Sequence, residues 1–133
     1  MTTYFITGAN GFIGSYLAKE LLQRGEKVIA TRRNRKMSTF WDEESYQKVE
    51  WVDVDILDAT ALVSATKGVD RLIHAAAFVS LDNSKVKLLH KTNVEGTANV
   101  VNACLANQIP LSCFVSSIAA LGTPKGKSLI DED

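Results

Sequence analysis

Apolar positions fall in short blocks whose period changes along the chain. Thr3 to Thr7 (Thr-Tyr-Phe-Ile-Thr) reads as a β-rich strand. From about Phe12 to Arg24, Ile13, Leu17 and Leu21, with Leu22 beside them, recur at helical spacing, and Gly25 stands where a C-terminal cap is expected. Lys27 to Thr31 is a second strand. Residues 32–48 are polar with little period beyond Phe40 and Trp41, which predicts a loop and a short helix. Val49 to Val54 is a third strand. Asp58 is placed to cap a short helix running to about Thr66, Gly68 closes it, and Val69 to His74 form a fourth strand. A long helical pattern spans Ser84 to Asn107, with inward stripes Leu89, Asn93, Gly96, Val100 and Val94, Ala98, Val101, Leu105. Beyond Pro110, Leu111 to Ser116 form a fifth strand. Strands alternating with helices specify a parallel α/β sheet of about five strands, covered by helices on both faces.

Composition narrows the partners. A chain of 133 residues without repeat or linker is one domain, and 46% hydrophobic with 23% charged residues is ordinary for a globular protein. Zero net charge gives no global pull toward nucleic acid or anionic membrane. The local exception is Arg32, Arg33, Arg35 and Lys36. No apolar run approaches the ~18 residues of a membrane span, and the N-terminus lacks a signal-peptide layout. Cys104 and Cys113 match no metal or redox spacing, so two buried, reduced thiols in a cytoplasmic protein are expected. Asp53, Asp55 and Asp58 cluster without His or Cys, and no metal is expected.

The chemistry concentrates in the first turn. Thr7-Gly8-Ala9-Asn10-Gly11-Phe12-Ile13-Gly14 leaves a strand, opens a helix and leads to a second strand. Gly8 permits the tight turn, Gly11 clears space for a pyrophosphate, and Gly14 lets the helix lie close to the sheet. The N–H groups of the helix start then face the anion. This TGxxGxxG spacing resembles the nucleotide-binding signature of the extended short-chain dehydrogenases/reductases, the epimerase/dehydratase-like group. The resemblance extends over essentially the whole chain and implies a Rossmann fold, a doubly wound parallel sheet of about five strands in the order 3-2-1-4-5. It makes Thr7, Gly8, Asn10, Gly11, Phe12, Ile13 and Gly14 cofactor-binding.

Further segments bear on that resemblance. Where NAD-specific enzymes place an acid after the second strand, this chain has Arg32-Arg33, and a guanidinium can pair with a 2′-phosphate. NADP is therefore favoured over NAD. Asp53-Val54-Asp55-Ile56-Leu57-Asp58 resembles the family's adenine element, with Asp55 on the adenine amino group and the Ile56 backbone adding a contact. His74-Ala75-Ala76-Ala77 resembles its HxAA element, the alanines touching the cofactor; His74 is read as a hydrogen-bonded structural residue and His90 as a surface one. Asn93-Val94-Glu95-Gly96-Thr97 implies an asparagine that holds backbone and water near the active site. Phe114-Val115-Ser116-Ser117 resembles the segment of the catalytic serine, with Ser117 favoured and Ser116 second.

The resemblance also implies a Tyr-x-x-x-Lys acid/base pair. Tyr4, Tyr16 and Tyr46 are followed four residues on by Gly8, Glu20 and Glu50. The chain is expected to be the N-terminal part, residues 1–133, of a longer NAD(P)-dependent oxidoreductase, since 128–133 resembles continuing sequence. A nucleotide-sugar epimerase or dehydratase, or a non-catalytic NAD(P) sensor, are the alternatives. The family implies a small-molecule substrate and a homodimer of the full-length protein.

Overall fold

The structure, a computed structural model, describes residues 1–122. The closing segment 128–133 lies outside them. Five strands, β1 (Thr3–Thr7), β2 (Lys27–Thr31), β3 (Glu50–Val52), β4 (Arg71–His74) and β5 (Leu111–Phe114), form one sheet in the order β3-β2-β1-β4-β5. Every pairing is parallel, with Thr7 opposite His74 and Ile6 opposite Ala30.

Strand alternation builds two cores. Phe5, Ile29 and Leu72 face one side with Leu62, Val100, Ala103 and Cys104. Ile6, Val28 and Ala30 face the other with Ala18, Trp41 and Val49. Phe5 and Ile6, both fully buried on the central strand, each contribute about 1.5–3 kcal/mol of burial. The helices are α1 (Phe12–Gln23), α2 (Glu43–Lys48), α3 (Ala59–Ala65), α4 (Val86–His90) and α5 (Gly96–Ala106). Asp42 and Asp58 cap α2 and α3 by accepting from Ser45 N and Ala61 N.

The structure departs from the sequence pattern in several places. The face α1 buries is Gly14, Ser15 and Ala18. The helix lies so close to the sheet that only small residues fit, which leaves Ile13 exposed and Leu17, Leu21 and Leu22 at the margin. The expected long helix is broken: a 3₁₀ turn (Asn83–Lys85) leads into α4, a π-helical turn (Lys91–Glu95) follows, and α5 continues. Leu89, Asn93, Gly96 and Val100 do face inward. The second stripe does not: Val94, Ala98, Val101 and Leu105 are exposed, because the helix meets the sheet and α3 along one side only. Cys104 is buried, which pushes its thiol pKa up, whereas Cys113 is exposed because β5 is an edge strand uncovered among the described residues. The strands β3, β4 and β5 are shorter than their apolar runs: β3 and β5 stop early, at Val52 and Phe114, and β4 begins two residues late, at Arg71.

Candidate functional site

The cleft begins at the glycine loop. Gly8 has φ +74°, and a Cβ there would stand 2.6 Å from Ala76 N and 2.7 Å from the Ala75 carbonyl carbon. The first and fourth strand ends therefore touch backbone to backbone, which any side chain would prevent. A Cβ on Gly14 would strike the Gly8 carbonyl, so α1 starts directly on the loop. Its N-cap, Gly11, offers no side chain, and its first turn holds no acid. The N-terminal N–H groups of a twelve-residue helix thus open without a competing carboxylate.

From this point a cleft of about 350 Å³ runs along the strand ends. Gly8, Asn10, Gly11, Arg32, Arg33, Asp55, Ile56, Ala75, Ala76 and Ala77 line it, together with Thr31, Asn34, Val54, Leu57, Leu88 and Thr92. Asp55 folds its own turn: its Oδ1 accepts from Leu57 N at 2.9 Å. Asn10 lines the cleft, but its amide is committed, donating to Lys36 O and accepting from Ser38 N. The side chains of Phe12 and Ile13 are exposed beside the cleft, and Phe12 packs on Tyr16 and Phe40. Any contact of these two with an anion is left to their backbone N–H groups.

Thr7 faces away from the cleft and is fully buried. Its hydroxyl accepts from Ala76 N at 3.3 Å and lies 2.6 Å from His74 Nδ1. His74 Nε2 lies 2.9 Å from Thr97 Oγ1, and that hydroxyl donates to Asn93 O at 2.6 Å. With the Thr97 proton committed, Nε2–H must donate and Nδ1 must accept, so Thr7 donates to the ring. Burial holds the His74 pKa below its ordinary value, and the neutral ring is the form that satisfies every partner. The ring stacks on Phe114 at 5.5 Å. His74 is thus a structural hinge pin, and His90 is exposed.

Asn93 sits in the π-helical turn outside the cleft lining. Its Oδ1 accepts from Phe78 N at 2.8 Å and its Nδ2 donates to Phe78 O at 2.9 Å, as a strand partner would. It clamps the segment that follows Ala75–Ala77. Ser117 caps a 3₁₀ turn (Ile118–Leu121), accepting from Ala119 N at 3.2 Å; it and Ser116 are exposed and lie outside the cleft lining.

At the far end of the cleft the two arginines differ. Arg32 is largely covered: its Nε donates to Asp53 Oδ1 at 2.8 Å and its Nη1 to Tyr46 Oη at 3.1 Å, over the Trp51 ring. These bonds, Asp53 first, raise its pKa further. Arg33 is exposed, with no acidic partner among the described residues.

A family model for the NAD dependent epimerase/dehydratase family matches residues 4–133. The chain belongs to that family. Among its relatives, cinnamoyl-CoA reductase 1 of Oryza sativa is 36% identical over 120 residues, 87% of this chain and 34% of that protein. Sterol demethylase protein B of Methylococcus capsulatus is 36% identical over 129 residues, 96% of this chain and 38% of that protein. A UDP-glucose 4-epimerase of Bifidobacterium longum, solved in complex with NAD⁺ and UDP, superposes with a TM-score of 0.81 at 27% identity over 98% of this chain and 42% of that one. The chain spans about a third of the length of the curated relatives it matches.

Within this epimerase/dehydratase frame, several residues that shape the site carry little signal in the sequence. Trp41 donates its indole N–H to Ala9 O at 3.0 Å and so ties the segment after β2 to the glycine loop. Tyr46 and Asp53 hold Arg32, a role that neither residue's place in the sequence signalled. Thr97, one turn after Asn93, carried no signal beyond its place in that motif.

Proposed function

We propose that this chain is the NADP-preferring dinucleotide-binding portion of an oxidoreductase that transfers hydride at a carbonyl or hydroxyl carbon. The observation that carries this reading is the uncapped N-terminus of α1, opening onto a cleft with the exposed Arg33 at its other end. The glycine-loop cradle, too tight for any side chain at Gly8, suits a pyrophosphate pressed against backbone. Gly11 and the N–H groups of Phe12 and Ile13 hold it. Arg33, with the uncommitted edge of Arg32, pairs with a 2′-phosphate. Asp55 and the Ile56 backbone take the adenine, and Ala75–Ala77 leave room for the nicotinamide. When bound, that nicotinamide supplies or accepts the hydride. Ser117 hydrogen-bonds the substrate oxygen, and Asn93 fixes the backbone beside it.

The reductase and dehydrogenase relatives support a reductase over a nucleotide-sugar epimerase; the epimerase neighbours with bound NAD support the alternative. A thermal-shift titration with NADPH and NADH tests the reading. A ligand at a hundred times its Kd stabilises the native state by about 2.7 kcal/mol, so NADPH is expected to raise Tm at lower concentration than NADH. Arg33→Glu is expected to erase that difference. Equal response of the wild type to both coenzymes would refute the NADP preference, and no response to either would refute dinucleotide binding.

A further inference from the structure

The basic segment after β2 is fastened at both ends. The Asp53 carboxylate accepts Arg32 Nε on Oδ1 at 2.8 Å, and Arg35 Nε and Nη2 on Oδ2 at 3.1 and 2.9 Å. Both guanidiniums lower its pKa, Arg32 the more. Asn10 secures Lys36 O and Ser38 N. Arg33 lies between these anchors, lines the cleft and has no acidic partner among the described residues. Four cations against one carboxylate leave the segment strongly positive.

Two effects of Asp53 on an incoming 2′-phosphate oppose each other. Its negative charge repels the phosphate. Its three hydrogen bonds to Arg32 and Arg35 set those guanidiniums in place before the ligand arrives. The charge is shared between two guanidiniums and half-exposed to solvent, where screening is strong, so repulsion is the smaller effect. Preorganisation wins, because two long side chains and the backbone between them are ordered in advance.

We propose that Asp53 is a positioning residue that sets coenzyme preference: by clamping Arg32 and Arg35 it presents Arg33 to the ribose 2′-phosphate. This rests on the NADP reading above. It predicts that a carboxylate, removed from the phosphate itself, strengthens binding of an anion.

The test is calorimetric titration of the chain with 2′,5′-ADP and with 5′-AMP, which share the adenosine and differ at the 2′ position. Asp53→Asn is expected to weaken 2′,5′-ADP about five- to tenfold and to leave 5′-AMP within about twofold. Asp53→Glu, which keeps the carboxylate, should restore most of the loss. Arg35→Ala alters a side chain that is 81% exposed and outside the cleft lining, so it tests the clamp without endangering the fold. It should weaken 2′,5′-ADP selectively and in the same direction. No change in Asp53→Asn, a gain in 2′,5′-ADP affinity, or an equal loss for both nucleotides would overturn the proposal while leaving the dinucleotide reading intact. Failure of the wild type to bind either nucleotide would overturn both.

Discussion

Replacing Thr7 by valine keeps the shape of the side chain and removes one hydroxyl. That hydroxyl donates to His74 Nδ1 and accepts from Ala76 N, at sites where Thr7 is fully buried and His74 nearly so. The variant leaves the Nδ1 lone pair without a donor and the Ala76 N–H without an acceptor. A tautomer switch does not repair this, because Nδ1–H would then meet a methyl group while Nε2 lost its bond to Thr97, whose proton is committed to Asn93 O. An unsatisfied buried group costs about 1–3 kcal/mol, so Thr7→Val should lose roughly 2–4 kcal/mol, or roughly 5–15 °C in Tm. Thr7→Ser keeps the hydroxyl, and losing one buried methyl costs about 1 kcal/mol. Urea melts of the three proteins at pH 7.5 read the difference. If Thr7→Val were as stable as Thr7→Ser, the hydroxyl would not be holding the ring, and the hinge-pin account of His74 would be wrong. The same network gives a pH signature. Burial lowers the folded-state pKa of His74 below 6.5, so under mild acid the unfolded chain binds the proton first. Stability therefore holds above about pH 6.5 and falls as pH drops below it, by at most about 1.4 kcal/mol per unit, until the folded ring also titrates. This decline should vanish in His74→Asn.

Further outcomes follow from backbone contacts. Gly8→Ala combines φ +74° with a Cβ against the Ala75–Ala76 backbone, which cannot yield, and should cost more than about 2 kcal/mol and abolish coenzyme-induced thermal shifts. In Gly96→Ala the new Cβ meets the flexible end of Ile56, 2.6 Å from Cδ1, so its cost in a thermal melt should stay nearer about 1 kcal/mol. Asn93→Ala removes both bonds to the Phe78 backbone and should destabilise by about 1–3 kcal/mol, with faster hydrogen exchange at the Phe78 amide; unchanged exchange there would remove the clamp.

Much of this architecture was legible along the chain because its causes are local. Strand alternation and helix caps depend on neighbours in sequence, so β1 to β5 fall within the predicted apolar runs and Asp58 caps α3 as expected, while the Asp42 cap of α2 went unread in the polar stretch 32–48. The glycine loop was legible in part, since Gly11 and Gly14 answer to the Gly8 carbonyl a few residues away, whereas the clash that bars a side chain at Gly8 comes from Ala75 and Ala76 across the sheet. What the pattern misjudged depends on partners far away. The stripe at Val94, Ala98, Val101 and Leu105 is as apolar as its neighbour, and only the single contact side of the helix decides that it stays exposed. The π-helical turn carries Asn93, whose partner is a backbone fifteen residues earlier, a contact that helical spacing does not encode.

The same division holds in the cleft. Local chemistry along the chain specified a parallel sheet, a glycine-rich turn and two adjacent arginines at the second strand's end. It could not tell those arginines apart, because one residue's spacing carries no information about which guanidinium finds a carboxylate. The assembled sheet distinguishes them, bringing Asp53 and Tyr46 from later elements onto Arg32 and leaving Arg33 in the cleft lining. Hydrogen bonding and burial at that distance are set by how the strands are laid side by side, and that arrangement exists only once the sheet has formed.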